Sequence, residues 1–343
     1  IARYAIPCIE KPGSRDNGIL RIKQLKDGKI IVSTYNNKNY ILNPTTATFT
    51  PYTAIDYAIS AYVIDHNGSE WFGLNKDGIT IDGKRYTTND KQTNLPSNNI
   101  RDMAIDKQGR VWVATWGGGL AYTTPKPGKA PLFKVILNNG LNKSKVYSLS
   151  LSTSGNLFVA TYNGLYIIDT NKKDFSEDNI LNFNVENKQL PTDEITTIKA
   201  IGDDTLWMGT TGYGALKVTF NAEKKTISYV TIDHSNGLPN DNIISIAKGD
   251  GNNIWLGTEE GLALVDGTNL WAKSYMPSTN VFGNMVSSIG ILELSNGTVL
   301  FATNDGVAII DGNTKLETTK ETSTPHISDI LINGKSMFGE ELI

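Results

Sequence analysis

The chain has 343 residues, of which 39% are hydrophobic and 20% charged, with a formal net charge of −3. A small charge of mixed sign implies no general attraction to nucleic acid or membranes, no apolar run is long enough to span a bilayer, and one cysteine, Cys8, excludes an internal disulfide. Length alone suggests two domains, but 32 Gly, 14 Tyr and 6 Trp fit an all-β protein, and a closed ring of repeats holds this many residues as one unit. The start at Ile1 rather than Met reads as an excised piece, which leaves targeting signals open.

Residues 1–15 precede the first repeat. Ala2 to Pro7 is expected either to complete the last blade and close the ring or to be a strand belonging to an upstream domain. Seven units follow: about 16–53, 54–92, 93–137, 138–186, 187–232, a sixth that includes Asn236 to Asp266, and the most degenerate, about 280–319. A polar link from Glu317 to Thr324 ends the ring region, which is taken as 16–324. Pro325 to Lys335 then reads as a fresh strand and hairpin turn, the start of a second β domain over 325–343.

The period rests on several positions. Ile31, Trp71, Trp112, Phe158, Trp207, Trp255 and Leu300 recur 40 to 49 residues apart, one four-stranded blade each. Nine residues earlier stands a bulky apolar residue: Ile22, Tyr62, Met103, Leu149, Ile198, Ile246 and Ile291. Two residues later the side chain is small: Ser33, Gly73, Ala114, Ala160, Gly209, Gly257 and Ala302. Next comes Thr in six copies, with Leu74 in the second. Turn glycines (Gly28, Gly68, Gly109, Gly155, Gly297) precede the anchor strand, and a second Gly opens the third strand in six copies. The pattern predicts an all-β, seven-bladed propeller of four-stranded antiparallel blades, with the anchors as inter-blade core and the small residues relieving crowding where strands converge on the axis.

Reactive chemistry is sparse. His66, His234 and His326 fall on different copies or outside the ring, so no metal site is expected, and no cofactor is implied. Asp65-x-x-Gly68 and Asp106-x-x-Gly109 are expected to cap turns, lacking the ligand density of a calcium loop. No G-x-S-x-G elbow is present.

A propeller sets the loops between its second and third strands on the same face as the links between blades. That face is expected to offer Tyr35, Trp116, Tyr162 and Tyr213 for stacking on sugar C–H faces. Asn98, Asp193, Glu259 and Asn304 are expected to bond hydroxyls. Trp116, among Gly117, Gly118 and Gly119, is expected to be exposed. Asn and Asp also serve turns, so their bonding to local backbone stands as the alternative. Asp193, Glu194, Glu259, Glu260 and Asp305 leave open a glycoside hydrolase or lyase, given a suitably spaced pair. A docking or dimerisation scaffold is a third reading.

The run G-L-P-x-(N/D)-x-I followed by D-x-x-G-x-(L/I)-W-(I/V/L)-G-T-x-x-G-L spans Gly237 to Leu262, Leu95 to Leu120 and Leu190 to Ala215. It resembles the two-component-regulator propeller repeat over roughly residues 16–335. The segment PHISDILINGKSM looks like the first strand of the immunoglobulin-like, triple-tyrosine domain that follows such propellers. The resemblance implies a periplasmic, non-catalytic sensor region of a Bacteroides-type hybrid two-component protein. It also implies an oligosaccharide ligand, a neighbouring propeller in the same chain, a homodimer, and signalling to a histidine kinase, with no nucleic acid bound by this part.

Overall fold

The computed structural model describes residues 2–5, 18–46, 48–138, 140–176, 179–275, 290–303, 306–310, 331–332 and 335–336. Seven four-stranded antiparallel sheets follow one another along the chain. The first runs through Ile19–Gln24, Ile30–Thr34, Asn39–Asn43 and Thr48–Pro51. The five after it repeat this plain up-and-down order, and the first strands of neighbouring blades pack against each other around the ring. The seventh is built differently. Its strands Ile291–Glu293, Val299–Ala302 and Gly306–Ile310 take their outer partner from the N-terminus, where Ala2–Ala5 pairs antiparallel with Gly306 to Ile309. Ala2–Ala5 thus joins the two ends of the propeller.

Apolar packing closes the same circle. Seven buried clusters each combine one blade with the next, and the cluster of Ile19, Ile22 and Val32 with Leu300, Ala302 and Val307 joins the seventh blade to the first. A blade exposes two apolar faces, and only ring closure covers both on every copy. The anchors sit where the repeat predicts: Trp71, Trp112, Phe158, Trp207 and Trp255 are at most 2% exposed. Truncating such a side chain costs about 3–5 kcal/mol.

The small residue two places on is crowded by the first strands, which pack against one another around the ring. A Cβ on Gly73 would lie 2.6 Å from Ile100 Cγ2, and one on Gly209 would lie 2.8 Å from Ile243 Cγ2. The crowding comes from two innermost strands, that of the following blade and that of the same blade, where the added Cβ would stand 3.0 Å from Ala61 Cβ at Gly73 and 2.6 Å from Thr197 Cγ2 at Gly209. The Thr beside it clamps the next turn: Thr115, Thr161, Thr210, Thr258 and Thr303 each donate from Oγ1 to the carbonyl of the Gly that opens the third strand, at 2.7–2.9 Å. That Gly is obligatory at Gly214, where φ is +68° and a Cβ would stand 2.2 Å from the Ile232 carbonyl oxygen.

Asp65 and Asp106 cap their turns as expected. Asp65 Oδ1 accepts from the Asn67 and Ser69 amides, and Asp106 Oδ1 from those of Gln108 and Arg110. Each also accepts from the anchor indole six residues on, Trp71 at 3.0 Å and Trp112 at 2.7 Å. The D-x-x-G-x-x-W phrase is therefore one bonded unit. Leu331–Ile332 and Lys335–Ser336 pair antiparallel, while the connection between them lies outside the described residues. Among the described residues no helix is long and apolar enough to cross a membrane.

Candidate ligand-binding site at the channel mouth

The residue two places past the small one begins the turn between second and third strands, and its amide bonds the link that leads into its blade. Tyr35 N donates to Gly18 O, Asn75 to Ala58, Trp116 to Asn99, Tyr162 to Lys145 and Glu259 to Asn242, at 2.8–3.2 Å. These residues therefore occupy one equivalent position around the channel mouth. The first, third and fourth blades fill it with Tyr35, Trp116 and Tyr162. Asn304, which the repeat puts at the same position of the seventh blade, lies outside the described residues.

A second position comes from the innermost strands. In six blades the pairing of first and second strands slips by one residue just after it begins, leaving Leu20, Ser60, Arg101, Tyr147, Thr196 and Ile244 unpaired. A bulge of this kind re-aims its side chain. Ser60 and Thr196 use theirs structurally, donating to the Ile100 and Ile243 carbonyls of the next blade at 2.6 and 2.5 Å. Arg101 and Tyr147 turn to Trp116 instead. The Arg101 guanidinium lies 5.2 Å from the Trp116 ring centroid, and Tyr147 meets the same ring edge-on at 5.3 Å. Lys145 Nζ sits 4.9 Å from the Trp116 centroid and 4.8 Å from that of Tyr162. Tyr147 donates its hydroxyl to Glu194 Oε1 at 3.0 Å.

Trp116 is consequently half-buried, not the exposed platform expected from its glycine-rich turn. The surrounding cations cover its ring, and the open aromatic surfaces are Tyr35, Tyr162 and Tyr213, at 40%, 48% and 50% exposure. Below the mouth, Arg21 replaces the small residue usual at its repeat position. It donates from Nε to the Ser60 carbonyl and from Nη2 to that of Arg101. Asp102, the other charge at that position, accepts from Ser148 Oγ and the Leu149 amide. Burial lowers the Arg21 and Arg101 pKa values, and repulsion from Arg21 lowers Arg101 further. Burial, the Glu194 charge and the bond to it raise the Tyr147 hydroxyl.

The remaining expected contacts divide. Asn98 and Asp193 are tied to the scaffold: Asn98 Oδ1 accepts from the Thr88 amide and Asp193 Oδ1 from that of Val185, while their carbonyls hold Gly78 and Gly164. Glu259 is exposed and accepts from Asn242 Nδ2 at 2.8 Å. Tyr35, Trp116 and Tyr162 share one position around the mouth, whereas Tyr213 stands two residues past it on the fifth blade. Sequence reasoning missed Arg101, Lys145 and Tyr147. For Arg101 and Tyr147 the signal was present eleven residues before the anchor, where six copies read Leu, Ser, Arg, Tyr, Thr and Ile with no consensus. Among the described residues no group of three or more His, Cys, Asp or Glu side chains is placed to hold a metal ion.

Residues 94–117 and 237–260 match the family model of the two component regulator propeller. The chain carries two-component-regulator propeller repeats. The first matched repeat ends at Gly117, so it contains both Arg101 and the ring it faces, Trp116. Histidine kinase P4 of Formosa agariphila is 27% identical over 212 residues, which is 60% of this chain and 15% of that protein. The chain therefore spans only a small part of this curated relative. The extracellular domain of a protein described as a putative hybrid two component system from B. thetaiotaomicron is 19% identical, with a TM-score of 0.45 over 86% of this chain and 51% of that one. Virginiamycin B lyase from Staphylococcus aureus is 18% identical, with a TM-score of 0.62 over 86% of this chain and 94% of that one. At that identity the likeness to the lyase concerns the fold and says nothing of a reaction.

Proposed function

We propose that this propeller is the non-catalytic, extracytoplasmic sensing region of a two-component regulator, and that it recognises an oligosaccharide at the mouth of its channel. One observation carries this reading. Arg101, Lys145 and Tyr147 gather around Trp116, with Tyr162 reached through Lys145, at positions where other copies of the repeat place Ala58, Ser60, Asn75, Thr196, Asn242 or Glu259. The fold does not require this group, and aromatic faces beside hydrogen-bonding side chains suit a sugar ring. The propeller repeats and the likeness to a histidine kinase support the place in signalling. In the intact protein the propeller would act in the periplasm as part of a homodimer, beside a second propeller and an immunoglobulin-like domain that begins near residue 325. Ligand binding would shift the propeller against that domain and relay the change to the kinase.

The test is calorimetric titration with a panel of plant, host and microbial oligosaccharides, followed by chromatography of the sugars. Saturable heat with the sugar recovered intact, lost on Tyr162→Ala, is the expected result. Cleaved sugar would overturn the non-catalytic reading and direct attention to Glu194, Glu259 and Glu260. Heat from no sugar would favour a docking scaffold.

A further inference from the structure

We infer that the ligand of this channel mouth is anionic, an oligosaccharide bearing a carboxylate or a sulfate ester, with Arg101 and Lys145 as the pair that receives the acid group. The inference rests on the sugar-binding reading above and adds the charge of the ligand.

Its first support is the absence of partners for these cations. Arg101 Nε is buried and bonds no described residue. Neither Arg101 nor Lys145 forms an ion pair with a described carboxylate. What they face is aromatic: Trp116 for both, and Tyr162 for Lys145. A ring quadrupole attracts a cation without neutralising it, and a guanidinium drawn out of water favours an acid partner that fills its fork.

The second support is the local charge. Arg21 bonds the Arg101 carbonyl from below and repels its guanidinium, and Lys145 shares the Trp116 ring with Arg101. Two carboxylates lie nearby, Asp102 acting on both guanidiniums at a distance, and both are hydrogen-bonded by neutral donors rather than by Arg101 or Lys145. Asp102 accepts from Ser148 and Leu149 on the fourth blade, and Glu194 from the Tyr147 hydroxyl. Arg101 and Lys145 are thus the cations facing Trp116 that no described carboxylate pairs. A protein gains no stability from like charges held together out of water, whereas an incoming anion relieves their repulsion and replaces their lost hydration. The geometry also gives the neighbouring Tyr162 a role, since its exposed ring can carry the sugar that bears the acid group.

The test titrates the full 343-residue chain with oligogalacturonides and their methyl esters, and with a sulfated galactan oligosaccharide and its desulfated form. Binding of an acidic sugar at least about tenfold tighter than its neutral counterpart, weakening as salt rises from about 50 mM to about 500 mM, is the expected result. Whichever acidic series binds identifies the group as carboxylate or sulfate. Arg101→Gln should lose about tenfold or more. Lys145→Gln, at a partly exposed site, keeps the test valid if loss of Arg101, whose Nε is buried, impairs folding, and it should lower both affinity and salt dependence. Neutral sugars binding as tightly as acidic ones, with no response to salt, would overturn the charge assignment and leave the sugar reading standing. Binding of none of the four probes, when the wider panel yields a neutral ligand, would overturn it equally. Silence from the wider panel as well would remove both.

Discussion

Asp106 offers a sharp test of how the repeat is held together. Its carboxylate is fully buried and accepts from the Gln108 and Arg110 amides, from Trp112 Nε1 at 2.7 Å, and from Arg110 Nε at 2.6 Å. Asp65, its counterpart one blade earlier, accepts from two amides and from Trp71 Nε1, but no described cation pairs with it. Asp65→Ala therefore leaves neutral donors unpaired, at about 1–3 kcal/mol. Asp106→Ala does the same and also strips the counter-ion from a buried guanidinium, for which about 3–5 kcal/mol is typical. Arg110 retains carbonyl acceptors at Thr170 and Lys172 and a ring contact with Phe175 at 4.9 Å. Those contacts keep the loss near the lower limit, about 3 kcal/mol.

Urea unfolding followed by tryptophan fluorescence measures both variants. Against a central value of about 2 kcal/mol for Asp65→Ala, Asp106→Ala should be the more destabilised by about 1 kcal/mol. Adding Arg110→Met to it should recover part of the loss, because the orphaned charge goes with it while the aliphatic packing remains. Equal destabilisation of the two Asp variants would refute the argument, as would a double variant less stable than Asp106→Ala alone.

The other predictions concern packing, the turn clamp and pH. Gly209→Ala should destabilise by about 1–3 kcal/mol by calorimetry, because the new methyl meets Ile243 and Thr197 side chains inside contact distance; a neutral result would mean the blades separate easily. Thr161→Val keeps the shape but loses the 2.8 Å bond to the Gly164 carbonyl, and should lower stability by about 1 kcal/mol in the same assay. The His234 ring bonds Asp241 at 2.9 Å, and that bond, then the Asp241 charge, raises its pKa above the ordinary value. The stabilisation is therefore fully present below about pH 6.5, the unfolded value, and is lost as pH rises through the higher folded one. The ring is exposed, so the effect should be small and fade in salt. A proton NMR titration placing His234 at or below an ordinary histidine would contradict it.

The ring itself was legible because every blade solves the same burial problem with the same residues. An anchor, a small residue to admit the next blade's first strand, a Thr clamp and a Gly at the turn each recur, and a sevenfold repetition makes each visible in one sequence. The reason for the small residue was less legible. Nothing in the spacing says that Gly73 makes room for Ile100 in particular, since the contact crosses between repeats. The turns behaved alike: the Asp of D-x-x-G was read as a cap, but its bond to the Trp indole depends on the strand folding back, which spacing alone does not reveal.

The site was only half legible, for the opposite reason. Tyr35, Trp116 and Tyr162 stood out because they occupy one position after a recurring landmark of the repeat. Arg101 and Tyr147 stand at the bulge, where copies disagree, and disagreement resembles the noise of an exposed position. The bulge changes what that disagreement means. It frees one residue from the ladder in six blades, so this is a position at which the propeller can vary its side chain without disturbing its core. Ser60 and Thr196 use the position to tie blades together, while Arg101 and Tyr147 direct it at Trp116. Two polar residues of the repeat, Asn98 and Asp193, show the reverse. They looked like ligand contacts because they recur on the right face, and they recur because each cap holds the Gly of the preceding blade's third strand and the start of its own link. In this fold, recurrence marks what holds the ring, and departure from it marks where a ligand is read.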